Sequence, residues 1–149
     1  MKTTEIGNDC TFKRVAGYQD IGEADLSASA VDTLGFDGCC FLISVGAIAE
    51  TAAPAFKVQH SDDDGSSDAY GDIAGAAVTL SETNDDTVAY IEIVGQRKRY
   101  LKLVAAQAAA SAIVESAIAL LYGGSSRPVA QSAADVSGSA RAIVQRMLA

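Results

Sequence analysis

Cys39-Cys40-Phe41-Leu42-Ile43-Ser44-Val45 is a near-continuous apolar run in which Phe41, Ile43 and Val45 share one face while Leu42 stands on the other. That is the pattern of an inner strand of a packed sheet. Downstream, Ala55-Phe56-Lys57-Val58-Gln59-His60 alternates cleanly, with Phe56, Val58 and His60 on one face and Lys57 and Gln59 on the other. Ser61-Asp62-Asp63-Asp64-Gly65-Ser66-Ser67-Asp68 follows without an apolar residue and reads as a solvated loop at a sheet end. Val88-Ala89-Tyr90-Ile91-Glu92-Ile93-Val94 and Tyr100-Leu101-Lys102-Leu103-Val104 flank the basic stretch Gly95-Gln96-Arg97-Lys98-Arg99. The simplest expectation is two strands joined as a hairpin.

Toward the chain ends the pattern is weaker. Residues 105–121 are rich in Ala and suit a helix on propensity alone. The second half, Ala112 to Tyr122, is nevertheless expected to be a strand, because Ile113, Ile118 and Leu120 do not fall on a narrow helical stripe. Thr11 to Val15, Ser27 to Asp32 and Ala76 to Leu80 are lesser strand candidates. Short apolar runs separated by turn chemistry make the chain all-β, an antiparallel, jelly-roll-like β-sandwich. Beyond Pro128 the composition shifts to Ser, Ala, Gly and Gln, as in an arm. There Ile143, Val144, Met147 and Leu148 recur at i, i+1, i+4 and i+5, the stripe of a short amphipathic helix that needs a surface, on its own body or a neighbouring subunit. The expected organisation is an N-terminal arm over 1–10, a sandwich over 11–130 and a C-terminal arm with its helix over 131–149.

At 149 residues with 49% apolar and 20% charged side chains, the chain fits one globular domain. Eleven basic residues against nineteen acidic leave a net charge of -8, which should repel phosphate backbones, so nucleic acid is not an expected partner. The longest apolar stretches fall short of the roughly 20 residues of a membrane-spanning helix, and no membrane partner is expected. The N-terminal stretch reaches Asp9 without an apolar run, so a secretory signal is not expected and the chain is expected to stay inside a cell or something assembled there.

Chemistry-bearing patterns are sparse. His60 is the only histidine, and its place beside Phe56 and Val58 marks it as a core or strand-end residue. A Cys-His pair with Cys39 or Cys40 is the remaining nucleophile option. Cys10, Cys39 and Cys40 cannot all pair within one chain, and buried free thiols are the simpler reading, with an intermolecular bridge as the alternative. Asp62, Asp64 and Gly65 have the alternation of a calcium loop, yet a 12-residue loop from Asp62 ends at Ile73, where a bidentate Glu is required. No metal, cofactor or catalytic residue is therefore expected. Arg97-Lys98-Arg99 reads as a solvated turn or as a basic rim that meets acidic groups on a partner.

Taken in order, Gly17-Tyr18-Gln19-Asp20, Ala30-Val31-Asp32-Thr33-Leu34-Gly35-Phe36-Asp37, Phe56-Lys57-Val58-Gln59-His60-Ser61-Asp62-Asp63, Arg99-Tyr100-Leu101-Lys102-Leu103 and Ser126-Arg127-Pro128-Val129 make the chain resemble a family of small structural proteins of tailed bacteriophages, the capsid decoration or cement proteins. In that family a VDTxGFD motif leads into a long strand, an SDDG hairpin follows, a later strand carries RYL, and a final strand closes on PV. The vicinal Cys39-Cys40 pair and the tail after Gln131 depart from that pattern. The resemblance implies a non-enzymatic β-sandwich on the exterior of a virion assembled in the host cytoplasm. Its partners would be the major capsid protein and two further copies of itself in a homotrimer. In such a subunit Ile143, Val144, Met147 and Leu148 would be apolar anchors, with Arg97 and Arg99 as rim charges. Two other readings are a head-tail connector or tail component, which would form larger rings, and a calcium- or carbohydrate-binding β-sandwich module. The last has little to stack on, with five tyrosines and no tryptophan.

Overall fold

The computed structural model describes residues 5–95, 97–132 and 134–138. The helix expected around Ile143, Val144, Met147 and Leu148 lies outside the described residues. Nine strands are described: β1 (Thr11–Ala16), β2 (Gln19–Asp20), β3 (Val31–Asp32), β4 (Gly38–Ile48), β5 (Ala55–Ser61), β6 (Gly71–Thr79), β7 (Val88–Val94), β8 (Tyr100–Val104) and β9 (Ala112–Tyr122). A short helix, α1 (Ile6–Asp9), precedes them.

The first sheet runs β1-β9-β4-β7, with β2 also pairing β9, and the second runs β3-β8-β5-β6; every pairing is antiparallel. Setting the two-residue β2 aside, the strands pair first with last: β1 with β9, β3 with β8, β4 with β7 and β5 with β6. That nesting, folded over into two sheets, is a jelly roll, and the all-β sandwich follows from the alternation read in the sequence. Phe41, Ile43 and Val45 are buried and Leu42 stands on the outer face, as expected. From the second sheet, Val31, Phe56, Val58, Leu101 and Leu103 join the same core.

One expectation is overturned. The strands 88–94 and 100–104 have the expected bounds but make no hairpin: β7 pairs β4, and β8 pairs β3 and β5 in the other sheet. The connection from β7 to β8 therefore passes from one layer to the other. Both strands bury one apolar face, Ala89, Ile91 and Ile93 on β7 and Leu101 and Leu103 on β8, and the crossing lets those faces enter one core from opposite sides. The candidate Ser27 to Asp32 contributes only Val31–Asp32 as strand.

The Ala-rich segment becomes β9, the strand between β1 and β4. Opposite β4, Ser44 pairs Ser116 but the next residue, Val45, pairs Val114. Glu115 is thus an extra residue, a β-bulge that shifts which parity faces inward. Ala112 and Val114 are buried before it, and Ala117, Ala119 and Leu121 after it.

Both described arm segments lie against the sandwich. Asp9 and Cys10 are buried, and the Asp9 carboxylate pairs with Arg127 at 3.1 Å. The chain after β9 returns along β1: the Val129 N–H donates to the Asn8 carbonyl at 2.9 Å. Gln131 clamps the strand, its Oε1 accepting from the Phe12 N–H at 3.1 Å and its Nε2 donating to the Cys10 carbonyl at 2.7 Å.

Candidate functional site

Two surfaces concentrate the features that pointed toward function. The first is the loop end around the basic segment. Arg97 donates through Nη2 to the Phe36 carbonyl at 2.6 Å and through Nη1 to the Asp37 carbonyl at 2.9 Å. Arg99 makes a two-pronged pair with Asp32, Nε at 2.8 Å and Nη2 at 2.7 Å. This geometry pulls the Asp32 carboxyl below the usual carboxylate range. Lys98 reaches the Asp68 carboxylate at 2.6 Å. The basic segment thus meets acidic and carbonyl groups of its own chain and pins the 33–37 and 61–68 loops to the crossing between the sheets.

The acidic loop is satisfied from within. The buried Ser61 Oγ donates to the Asp68 carbonyl at 2.6 Å and accepts from the Gly65 N–H at 2.8 Å. Asp63 accepts the N–H groups of Ser67 at 2.7 Å and Asp68 at 3.0 Å. Asp64 accepts from the Tyr70 hydroxyl. These carboxylates are already engaged in turn geometry, Asx-type bonds that fix the loop. Among the described residues no group of three or more His, Cys, Asp or Glu side chains is placed to hold a metal ion. His60 sits at the end of β5, half-buried, its Nδ1 facing the Lys98 N–H at 3.4 Å.

The thiols are free and dispersed by strand parity. Cys39 is buried in the core, and burial, with Cys40 beside it, pushes its pKa up to about 12. Cys40 is half-buried on the outer face, and burial followed by the neighbouring Glu92 carboxylate raises its pKa too. Cys10 is raised by burial and by Asp9. All three are therefore held toward the unreactive thiol form.

The second surface is the outer face of the β1-β9-β4-β7 sheet. The pairing aligns Arg14, Ile118, Leu42 and Tyr90 in one row and Phe12, Leu120, Cys40 and Glu92 in the next. Leu42 and Ile118 are 37% and 38% exposed. On β7 the exposure rises: Val88 63%, Tyr90 66% and Val94 65%. Among the described residues β7 pairs with β4 alone, so its other backbone edge carries no ladder. An exposed apolar edge strand is a surface that invites another chain. The sequence carried this signal, since Val88 to Val94 is apolar on both faces except at Glu92, which suits a strand covered on both sides. Sequence reasoning placed the binding residues instead at Arg97 and Arg99, now seen bonded within the chain, and at Ile143, Val144, Met147 and Leu148, outside the described residues.

No family model and no curated protein matches this chain. Among solved structures, a chain from Bacillus endospore appendages, described as forming a novel family of disulfide-linked pili, is similar over 82% of this chain and 96% of its own. Identity is 12% and the TM-score 0.44. Among the described residues, no helix is long and apolar enough to cross a membrane.

Proposed function

We propose that this protein is a non-enzymatic structural subunit, a capsid decoration protein that binds the assembled lattice of major capsid protein on the outside of a tailed-phage head. The observation that carries this reading is the β7 edge, where Val88 and Tyr90 are neighbours on the outer face and Val94 follows beyond Glu92, the three apolar side chains each about two-thirds exposed on a strand with an unpaired backbone edge. A lattice strand or loop laid against that edge gains main-chain hydrogen bonds and buries the three side chains together. The motif resemblance supports the placement on a virion. A ligand that binds only the assembled shell stabilises it by mass action, and many such sites act together against internal pressure.

The test is binding to purified heads that lack decoration, read as copies per head after sedimentation. Saturable occupancy is expected, and Tyr90→Lys together with Val88→Lys should weaken it by about tenfold or more, because a buried aromatic anchor is worth upwards of ~2 kcal/mol. Unchanged occupancy by a folded double variant, or no binding of the parent protein, overturns the reading.

A further inference from the structure

We propose that Gln131 shuts a second strand-acceptor edge, β1, and that the strand it keeps out is β7 of another copy of this chain. The inference concerns the free protein and stands whether or not β7 also meets a capsid lattice.

The edge is closed by a side chain rather than by a strand. The Phe12 N–H points away from β9 and is taken by Gln131 Oε1 at 3.1 Å, while the Cys10 carbonyl on the same edge accepts from Gln131 Nε2 at 2.7 Å. A carboxamide carries a donor and an acceptor side by side. One residue of an added strand would bring the same pair, its N–H and C=O, to these two groups. The neighbours of Gln131 hold it there: the Thr11 hydroxyl donates to the Ala130 carbonyl at 3.1 Å, and the Val129 N–H to the Asn8 carbonyl at 2.9 Å. At the far end of β1 the Val15 carbonyl accepts from the Ser29 N–H at 2.8 Å. Among the described residues no strand lies along this side of β1.

Backbone alternation identifies the excluded strand. In an antiparallel sheet both backbone groups of a residue point to one side, and the side alternates along the strand. Across the row Phe12, Leu120, Cys40 and Glu92, Phe12 points away from β9, so Leu120 turns to β4, Cys40 to β9 and Glu92 away from β4. The Thr87 carbonyl, of opposite parity, accepts from the Val45 N–H of β4 at 3.0 Å, as this requires. Val88, Tyr90 and Val94 share the parity of Glu92, so the residues of β7 whose side chains face outward also carry its edge-facing N–H and C=O groups.

Direction and chemistry agree with that partner. Strands β1, β9, β4 and β7 alternate in direction, so β7 of a second copy laid beside β1 continues the antiparallel order. With Phe12 opposite Val94 of that copy, Arg14 falls opposite its Glu92, an apolar pair and an opposite-charge pair in one register on the outer face. A contact between two unlike edges is heterologous and either extends from copy to copy or closes into a ring. Gln131, tethered to the edge it covers at an effective concentration of about millimolar, wins over that strand in dilute solution.

The test is the mass of the full-length protein across a dilution series, read by light scattering. Gln131→Ala removes both bonds, so head-to-tail association should strengthen by about tenfold or more, with masses above the parent's that climb with concentration. Adding Arg14→Glu should reverse the growth by setting two carboxylates opposite each other, and adding Glu92→Arg in turn should restore it. In dilute solution the Phe12 amide of Gln131→Ala should exchange with solvent severalfold faster than the parent's, and slow again as chains associate. Gln131→Glu keeps an oxygen toward the Phe12 N–H but sets another against the Cys10 carbonyl. It should act in the same direction, and it serves if the alanine variant does not fold. A folded Gln131→Ala with the parent's mass at every concentration overturns the proposal. So does growth that Arg14→Glu leaves unchanged, which would place the new contact elsewhere than between β1 and β7. Unaltered exchange at Phe12 likewise overturns it.

Discussion

At the scale of single residues, the polar groups act as ties between loops. Asp20 accepts the Gly22 N–H at 2.8 Å and the Ala112 N–H at 3.0 Å through Oδ1, and the Ser111 hydroxyl at 2.6 Å through Oδ2. These bonds, the Ser111 hydroxyl foremost, hold its carboxyl below the usual range, as Lys98 holds Asp68 and as Gln59 and Lys57 hold Asp72. A carboxylate with a lower pKa in the folded state adds stability above its unfolded value, and that stability is lost as pH falls through the folded value. The buried thiols act in the opposite direction. With folded pKa values raised, they stabilise fully below the unfolded thiol value and lose that contribution as pH rises toward the folded value, about 12 for Cys39. Urea midpoints should therefore be level between about pH 5 and 8, fall below about pH 4 and decline again above about pH 8.5. Asp20→Asn should flatten the acid limb, and an unaltered limb would show that this junction is not a source of the acid sensitivity.

At the scale of elements, β9 shows how much a central strand depends on small side chains. Ala117 and Ala119 are fully buried on its inward face, flanked in register by Ile43 and Phe41 of β4. Ala119→Leu adds three carbon atoms where the strand sits between β1 and β4, and it should cost about 1–3 kcal/mol through overpacking. A drop in the urea midpoint without a change in its slope would report this; a neutral substitution would mean that the core has room beside Phe41. The same strand shows what the sequence made legible. Its bounds and those of β7 and β8 follow from local alternation, because each strand's burial is set by its own side chains. Pairing does not follow, since Ala89, Ile91 and Ile93 suit a neighbour in the same sheet or one across the core equally well, and sequence-adjacent strands are more often neighbours. The bulge at Glu115 was hidden for a related reason, as one inserted residue turns a period-two pattern into an ambiguous Ala-rich run. The docking face was half visible: the two-sided apolar character of Val88 to Val94 could be read, but the absence of a pairing partner at β7 required the topology.

At the scale of the whole molecule, the unequal treatment of sheet edges bears on assembly. The β1 side is lined by the returning chain through Thr11, whose hydroxyl donates to the Ala130 carbonyl at 3.1 Å, and through Gln131. The β6 edge is interrupted: its register against β5 jumps between Lys57 and Gln59, and Gly75 within it has φ +80. Such a break, with Asp72 paired to Lys57 at 2.9 Å beside it, discourages a continuous ladder with another chain. β7 has no bulge against β4, the neighbouring β6 of the other sheet forms no ladder with it, and its outward side chains include a single charge, Glu92. In the isolated protein, with no lattice present to take that edge, self-association should run through β7, where each copy offers the same Val88, Tyr90 and Val94. If the resemblance to decoration proteins extends to quaternary structure, mass measurement of the isolated protein should give a trimer, and Tyr90→Lys with Val88→Lys should shift it toward monomer while the circular-dichroism spectrum stays β-rich. A hexamer or dodecamer would favour the connector reading, because larger rings belong to that station in the particle. A trimer indifferent to both lysines would place the contact on another surface and leave the β7 edge to a different chain.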